Sequence, residues 1–577
     1  MKSIHCESAK KYRVIFEILL VLFLIGTVAA LSGLRYENND DAIISRLLSG
    51  QLLGRSQWRI FQYVHVASAY PLHLLYTLIP SFPWYGAWQI LLRFLSFFLP
   101  LNAINSNVKK WTSCLMVSLV WSLLFLTSWS MQARIQYTST AEIAAFMGFV
   151  CYTYHQNRKK ALISFTILEL AAYTVRPNGM ELMLPLGASL LLFSSLRRAD
   201  LKMTLKSMLL AICICLTIML SGSLITKIVF ANNEYAQANT ANNGRGEMFD
   251  YVGFPAYEEI EDILSARNIS KEKYEAFSHY LILDWDVSDG ALSELAAFSE
   301  QKAASSGSTI SDIIKRIWET TFQTHFGSFS RILECAWIIA LFSLFFFKEY
   351  RYLLVTLAYH AAKLVTWGYL FYNGRTPTRV IYPLLLAETA VAICIFIFVL
   401  LNHQESSKEQ KENARNSIRN SLHLMSLIGC IALFALVSLK GALNQYHQLA
   451  EDQNATVLIE KAHDQMEAYC NAHPENLYLT SNEIYAYVQR KLFDCGTSNN
   501  NYVYSGGWYS LLPDSLTHVK NYLSQEKDCY YVISHSVGPS ILENNLRYLE
   551  EYFGTTPRLS DSIPVATGDT FDVYRVR

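Results

Sequence analysis

Two adjacent carboxylates, Asp40 and Asp41, follow the first apolar stretch of the chain, in the run Arg35-Tyr36-Glu37-Asn38-Asn39-Asp40-Asp41. A carboxylate held at a membrane surface meets both a lipid-borne substrate and water. There it can take a proton from a hydroxyl as a general base. The plainer use is structural. Asn39 or Asp40 would cap a helix whose apolar positions are Ile43, Ile44, Leu47 and Leu48, and an acid in the first turn suits the helix dipole. The two uses are compatible, because a capped helix holds a carboxylate rigidly.

Candidate cations come next. Arg375 and Arg379 flank the turn Asn373-Gly374-Arg375-Thr376-Pro377-Thr378-Arg379. Two guanidiniums at one membrane surface match a phosphate or diphosphate, or else snorkel to lipid headgroups. Arg176 is a third cation with the same two uses. Lys363 falls near mid-span, where a cation is costly and is a functional candidate by default. A structural pair with Glu388 or Glu169 is the alternative, and Arg93 has the same standing. Arg245 and Asp250-Tyr251 open a long polar segment in which residues 242–246 read as a flexible loop. Gly506-Gly507-Trp508 either offers an indole to a sugar ring or packs a core Trp on a glycine turn.

The elements that must position these residues follow from hydropathy. The chain is 52% hydrophobic, yet its mean hydropathy is only +0.18, so membrane segments and water-facing parts are mixed. Apolar segments recur at 14–34, 84–104, 111–131, 138–155, 161–175, 179–195, 207–229, 332–347, 352–373, 380–402 and 421–440. They make about eleven spans. The segment 161–175 is short and either continues past Arg176 or is broken by Pro177. Lys and Arg crowd every second connection, from Lys10 and Lys11 to Lys408 and Lys411. This places the N-terminus in the cytoplasm and the C-terminus outside.

Three large pieces then face outward. Residues 35–83 carry amphipathic stretches near 40–50 and 59–79. Residues 230–330 are polar and helix-like, with runs at 257–265 and 310–320. The last is a C-terminal domain with strands near 476–480 and 529–534, helices near 461–470 and 541–553, and enough residues for its own core. The predicted architecture is therefore mainly α. A polytopic transmembrane helix bundle with external loops (1–440) precedes an extracytoplasmic α/β domain (441–577). Formal net charge is zero, which gives no reason to expect a nucleic-acid partner. No Cys or His cluster has zinc spacing, so neither a metal nor a cofactor is expected.

Several of these residues carry a resemblance. They are Asn39-Asp40-Asp41 followed by Leu48-Ser49-Gly50, Phe82-Pro83-Trp84-Tyr85, Gln136-Tyr137-Thr138, Arg245 with Asp250-Tyr251, Gly374-Arg375 with Arg379-Val380, and Gly506-Gly507-Trp508. In this order the chain resembles a family of bacterial, Gram-positive-type multi-pass membrane proteins. More distantly it resembles the GT-C superfamily of glycosyltransferases, which place a catalytic acid in the first external loop. The resemblance implies a polyprenyl-phosphate-linked sugar donor, a cell-envelope glycan or lipid acceptor, and membrane lipids as surroundings. The chain lacks a His-Pro-Asp-Glu-like first-loop signature, so both Asp40 and Asp41 stay open as the acid, and the sequence leans to Asp41 because position 40 is the better placed cap. Two other functions stay open beside an enzyme: a transporter or flippase using Lys363, Glu169 and Glu388, and a non-catalytic envelope scaffold.

Overall fold

The computed structural model describes residues 2–37, 39–52, 63–198, 201–231, 233–283, 291, 294–299, 311, 314–315, 328–372, 377–406, 414–488, 491–493, 501–525 and 527–577. The protein is mainly helical, and each apolar segment expected to span falls on a helix. In chain order these are Lys2–Ser32, Trp84–Asn105, Trp111–Thr127, Tyr137–Tyr154, Arg158–Val175, Pro177–Arg198, Leu201–Val229, Ser328–Phe346, Leu353–Tyr372, Thr378–Ser406 and Ala414–Ala472. Among the described residues, six helices are long and apolar enough to cross a membrane. The chain is a multi-pass membrane protein.

Burial explains why the other helices are less apolar. Every residue of Tyr137–Tyr154 is buried, so its Ser, Thr and Glu side chains face protein rather than lipid. The helices Lys2–Ser32 and Leu201–Val229 instead leave Phe23 and Leu220 about two-thirds exposed, at 68% and 70%. In a chain with this many apolar helices, such faces meet hydrocarbon. Thr378–Ser406 runs through the centre of the bundle, with 94% of its most apolar stretch buried.

The helix after Arg158 ends where the sequence left two options. Arg176 is extended and caps the Arg158–Val175 helix, and Pro177 opens the next one. Proline suits that first position because its missing N–H would be unsatisfied there anyway.

Two short strands, β1 (Arg35–Tyr36) and β2 (Arg134–Ile135), pair in parallel and bring the first loop beside the start of the Tyr137–Tyr154 helix. The C-terminal sheet holds β3 (Leu477–Thr480), β4 (Tyr502–Tyr504), β5 (Cys529–Ser534), β6 (Arg558–Pro564) and β7 (Thr570–Arg575) in the order β4-β3-β5-β7-β6. The pairs β4–β3 and β3–β5 are parallel, while β5–β7 and β7–β6 are antiparallel. Of these strands, β4, β6 and β7 are additions to the expected pair. The expected 461–470 helix is the end of Ala414–Ala472, which runs unbroken from the bundle into the sheet domain.

The sheet shares its core with the first loop. Ile43, Ile44, Leu47 and Leu48 of the Asn39–Ser49 helix pack in one cluster with Leu479, Tyr502, Val532 and Phe571. Buried polar contacts lock the same join. Arg46 donates to the Glu467 carboxylate at 2.7 Å and to the Tyr502 hydroxyl at 3.1 Å, and Arg35 pairs with Glu460. The loop helix is thus clamped between the bundle and the sheet.

Candidate active site

The Asn39–Ser49 helix carries both acids in its first turn, one residue apart. A helix turns by about 100° per residue, so neighbours cannot share a face. Asp41 points inward and is fully buried. It accepts the Tyr85 hydroxyl at 2.8 Å and the Tyr137 backbone N–H at 3.4 Å. Burial pushes its carboxyl well above the usual carboxylate range, against the opposing pull of the Tyr85 hydrogen bond. Asp40 faces a cavity of about 790 Å³ and accepts the Trp508 indole N–H at 3.1 Å.

That cavity lies at the join of bundle, first loop and sheet domain. It gathers Asp40, Arg176, Arg245, Asp250, Arg379 and Trp508 on one lining. These residues come from five separate stretches of sequence, Arg245 and Asp250 sharing one. Tyr63 is their hub. Its ring stacks on Tyr137 at 6.4 Å, meets Trp508 edge-on at 5.5 Å, and lies under the Arg176 guanidinium at 4.8 Å. Its hydroxyl accepts from Arg245 at 2.9 Å. Such rings hold guanidiniums by cation–π attraction while leaving their outer N–H groups available.

Arg176 also sits at the start of the Pro177–Arg198 helix, whose first residues Asn178 and Gly179 line the cavity. A helix start favours negative charge. The cavity is apolar on another side, where Val365, Leu370 and Val380 line it beside Tyr369. Asn482 and Gly507 contribute from the sheet domain.

The glycine pair before Trp508 is a requirement of fit. A Cβ on Gly506 would stand 2.1 Å from the Tyr280 carbonyl oxygen. Gly507 has φ of +91°, a region glycine enters at little cost. The turn packs the Trp, as the plainer reading had it, and also aims the indole N–H at Asp40.

Other expected residues sit elsewhere. Lys363 pairs with Glu388 at 2.8 Å, and Trp337 donates to the same carboxylate at 3.1 Å, so Lys363 has the structural partner the sequence offered as an alternative. It is not on the cavity lining. Glu169 is fully buried apart from that pair, against Gly148. Arg93 donates to Ser139 and Thr140 at 2.5 and 3.1 Å. Arg375 and the Tyr251 side chain lie outside the described residues, as does most of 310–320. Residues 242–246 are helical within Asn233–Glu247 rather than a loop. Arg245, bonded to Asn242 and Tyr63, is buried there and ties that helix to the cavity.

Sequence reasoning missed Glu142, which lines the cavity while 1% exposed. The available signal was an acid inside an apolar span. Among the described residues, His463, Asp464 and Glu467 are placed closely enough to hold a metal ion. Glu467 there is already committed to Arg46 and Tyr502, and none of the three lines the cavity.

No family model matches the sequence, and no curated protein does. Two solved structures align along nearly the whole chain. ArnT from Cupriavidus metallidurans bound to undecaprenyl phosphate gives a TM-score of 0.45 at 10% identity, covering 98% of each chain. The same protein in its apo state gives 0.39 at 11% identity, covering 99% of this chain and 98% of that one.

Proposed function

We propose that the chain is a membrane glycosyltransferase that moves a sugar from a polyprenyl-phosphate donor to a hydroxyl of a cell-envelope glycan or lipid. One observation carries the reading. A single cavity sets the Asp40 carboxylate among the guanidiniums of Arg176, Arg245 and Arg379, with an apolar side toward the bundle. An acid beside clustered guanidiniums suits a reaction in which a proton leaves one oxygen while negative charge gathers on another.

In this reading Asp40 takes the acceptor's hydroxyl proton as that oxygen bonds to the sugar's anomeric carbon. The bond from that carbon to the phosphate oxygen breaks, and its electron pair leaves on the polyprenyl phosphate. Arg379 and Arg176 stabilise that charge, with the Pro177 helix start behind them. Val365, Leu370 and Val380 receive the first isoprenoid units. Tyr63 and Trp508 fix the two ends of the site relative to each other. Asp41 supports the helix from inside.

The test of donor binding is direct. Purified wild-type protein should retain added polyprenyl phosphate in native mass spectrometry. Arg379→Gln should weaken retention by about 10- to 100-fold, the loss expected for a hydrogen-bonded charge pair. Arg379→Lys should also be impaired, since an ammonium does not reproduce a bidentate guanidinium contact. Full retention by an Arg375→Gln/Arg379→Gln double variant would leave both residues as lipid anchors.

The same reading places the cavity, the sheet domain and the C-terminus outside the cytoplasm, with the N-terminus inside. The support is the alternation of basic connections. A reporter active only outside the cytoplasm should work when fused after Arg577 and fail near Lys411. Activity at Lys411 would reverse the topology.

A further inference from the structure

Glu142 is the unexplained group of the cavity. Both its carboxyl oxygens are buried and have no hydrogen-bond partner. It lies within electrostatic reach of Arg176, Arg379 and Arg93, yet bonds to none of them. Buried polar atoms are nearly always satisfied, so an orphaned pair on a cavity wall marks a place for groups that arrive from outside. Packing leaves the side chain little freedom to turn away. The Pro177–Arg198 helix lies so close that a Cβ on Gly179 would stand 3.1 Å from the Ala141 Cβ and 3.3 Å from the Glu142 Cγ.

The chemistry of the arriving group can be narrowed. A phosphate needs donors, and Arg176 and Arg379 supply them on the same lining. A cation would compete with three guanidiniums already nearby. Neutral hydroxyls suit best, because each donates one hydrogen and two neighbouring oxygens can receive two of them. The geometry points to Glu142 as the specificity-determining acceptor for two hydroxyls of the donor's sugar, most directly a vicinal diol, while the arginines hold the phosphate. This inference rests on the glycosyltransferase reading above and divides its cavity into a phosphate side and a sugar side.

The experiment compares bare decaprenyl phosphate with decaprenyl-phospho-glucose, -galactose, -mannose and -arabinose on the purified full chain. Wild-type protein should bind bare lipid, and at least one glycosylated lipid more tightly. Glu142→Gln should weaken the preferred glycosylated lipid by about tenfold, and Glu142→Leu by about a hundredfold. Both variants should bind bare lipid as wild type does, because the phosphate is held by Arg176 and Arg379 and not by residue 142. A loss confined to the glycosylated lipid cannot arise from simple misfolding. Equal changes for both, no change for either, or a wild type indifferent to every sugar would overturn the role of Glu142. Failure of wild-type protein to bind even bare lipid would instead overturn the parent reading.

Discussion

Asp40→Asn should lower sugar transfer by about two to four orders of magnitude at equal membrane abundance, the range for a lost general base. The fold should survive. Asparagine keeps the shape and can still accept the Trp508 indole N–H that Asp40 accepts at 3.1 Å. The lost charge at the helix start costs below about 1 kcal/mol. What disappears is the proton acceptor on the cavity wall. Asp41→Asn is the matched control. That carboxyl is fully buried, burial holds it above the usual carboxylate range, and an asparagine oxygen in its place can still accept the Tyr85 hydroxyl. Its variant should keep turnover within several-fold. The check is product formation by both purified variants beside wild type. Loss in Asp41→Asn alone would move the base one residue along, where the sequence by itself had leaned.

Arg46→Met should destabilise the protein by about 3–5 kcal/mol, the cost of leaving one partner of a buried ion pair alone. Arg46 and Glu467 have side chains only 6% and 8% exposed, and Tyr502 donates to the same carboxylate oxygen at 2.5 Å. Removing the guanidinium strands Glu467 between the loop helix and β4. The double variant Arg46→Met/Glu467→Met should recover most of the loss, since an apolar pair of similar volume is often as stable as the ion pair. Denaturant unfolding in detergent, followed by tryptophan fluorescence, distinguishes the outcomes. Equal stability of Arg46→Met and wild type would mean that the shared core alone holds the loop helix. The consequence reaches the site, because Arg46 and Asp40 ride on the same short helix.

Much of the bundle was legible because a span announces itself by length and apolarity. The runs beginning at Trp84, Trp111 and Thr378 needed no tertiary information. The amphipathic repeat Ile43, Ile44, Leu47 and Leu48 likewise marked a real helix. What it could not reveal was the covering surface, since the contacts to Leu479 and Phe571 join residues more than four hundred positions apart. The choice between Asp40 and Asp41 was illegible for a related reason. Adjacent residues on a helix differ in face, and only the packed structure says which face is inward.

Residues 242–246 misled because Asn and Gly are poor helix formers. Tertiary anchoring overrides that preference through the Arg245–Tyr63 bond and the burial of Met248. Strands β4, β6 and β7 were missed because short segments carry little periodicity and are fixed by their neighbours in the sheet. Glu142 was passed over because an acid inside a wholly buried helix reads as another intramembrane oddity until the cavity is seen. Arg176, Arg245, Arg379 and Trp508 each had a bland alternative in isolation. Their convergence on one cavity, and that of Arg176, Arg245 and Trp508 on Tyr63, is a property of the fold alone.

If Asp40 and the arginines around it transfer a sugar onto an envelope acceptor, the envelope carries the record of it. Mass spectrometry of envelope glycans and lipids tests this most directly, comparing cells that lack the chain with the same cells carrying the wild-type or Asp40→Asn protein. One sugar substituent should disappear with the chain, return with wild type, and stay absent with Asp40→Asn present at equal abundance in the membrane. Unchanged glycan masses on removal of the chain, or full restoration by Asp40→Asn, would contradict it.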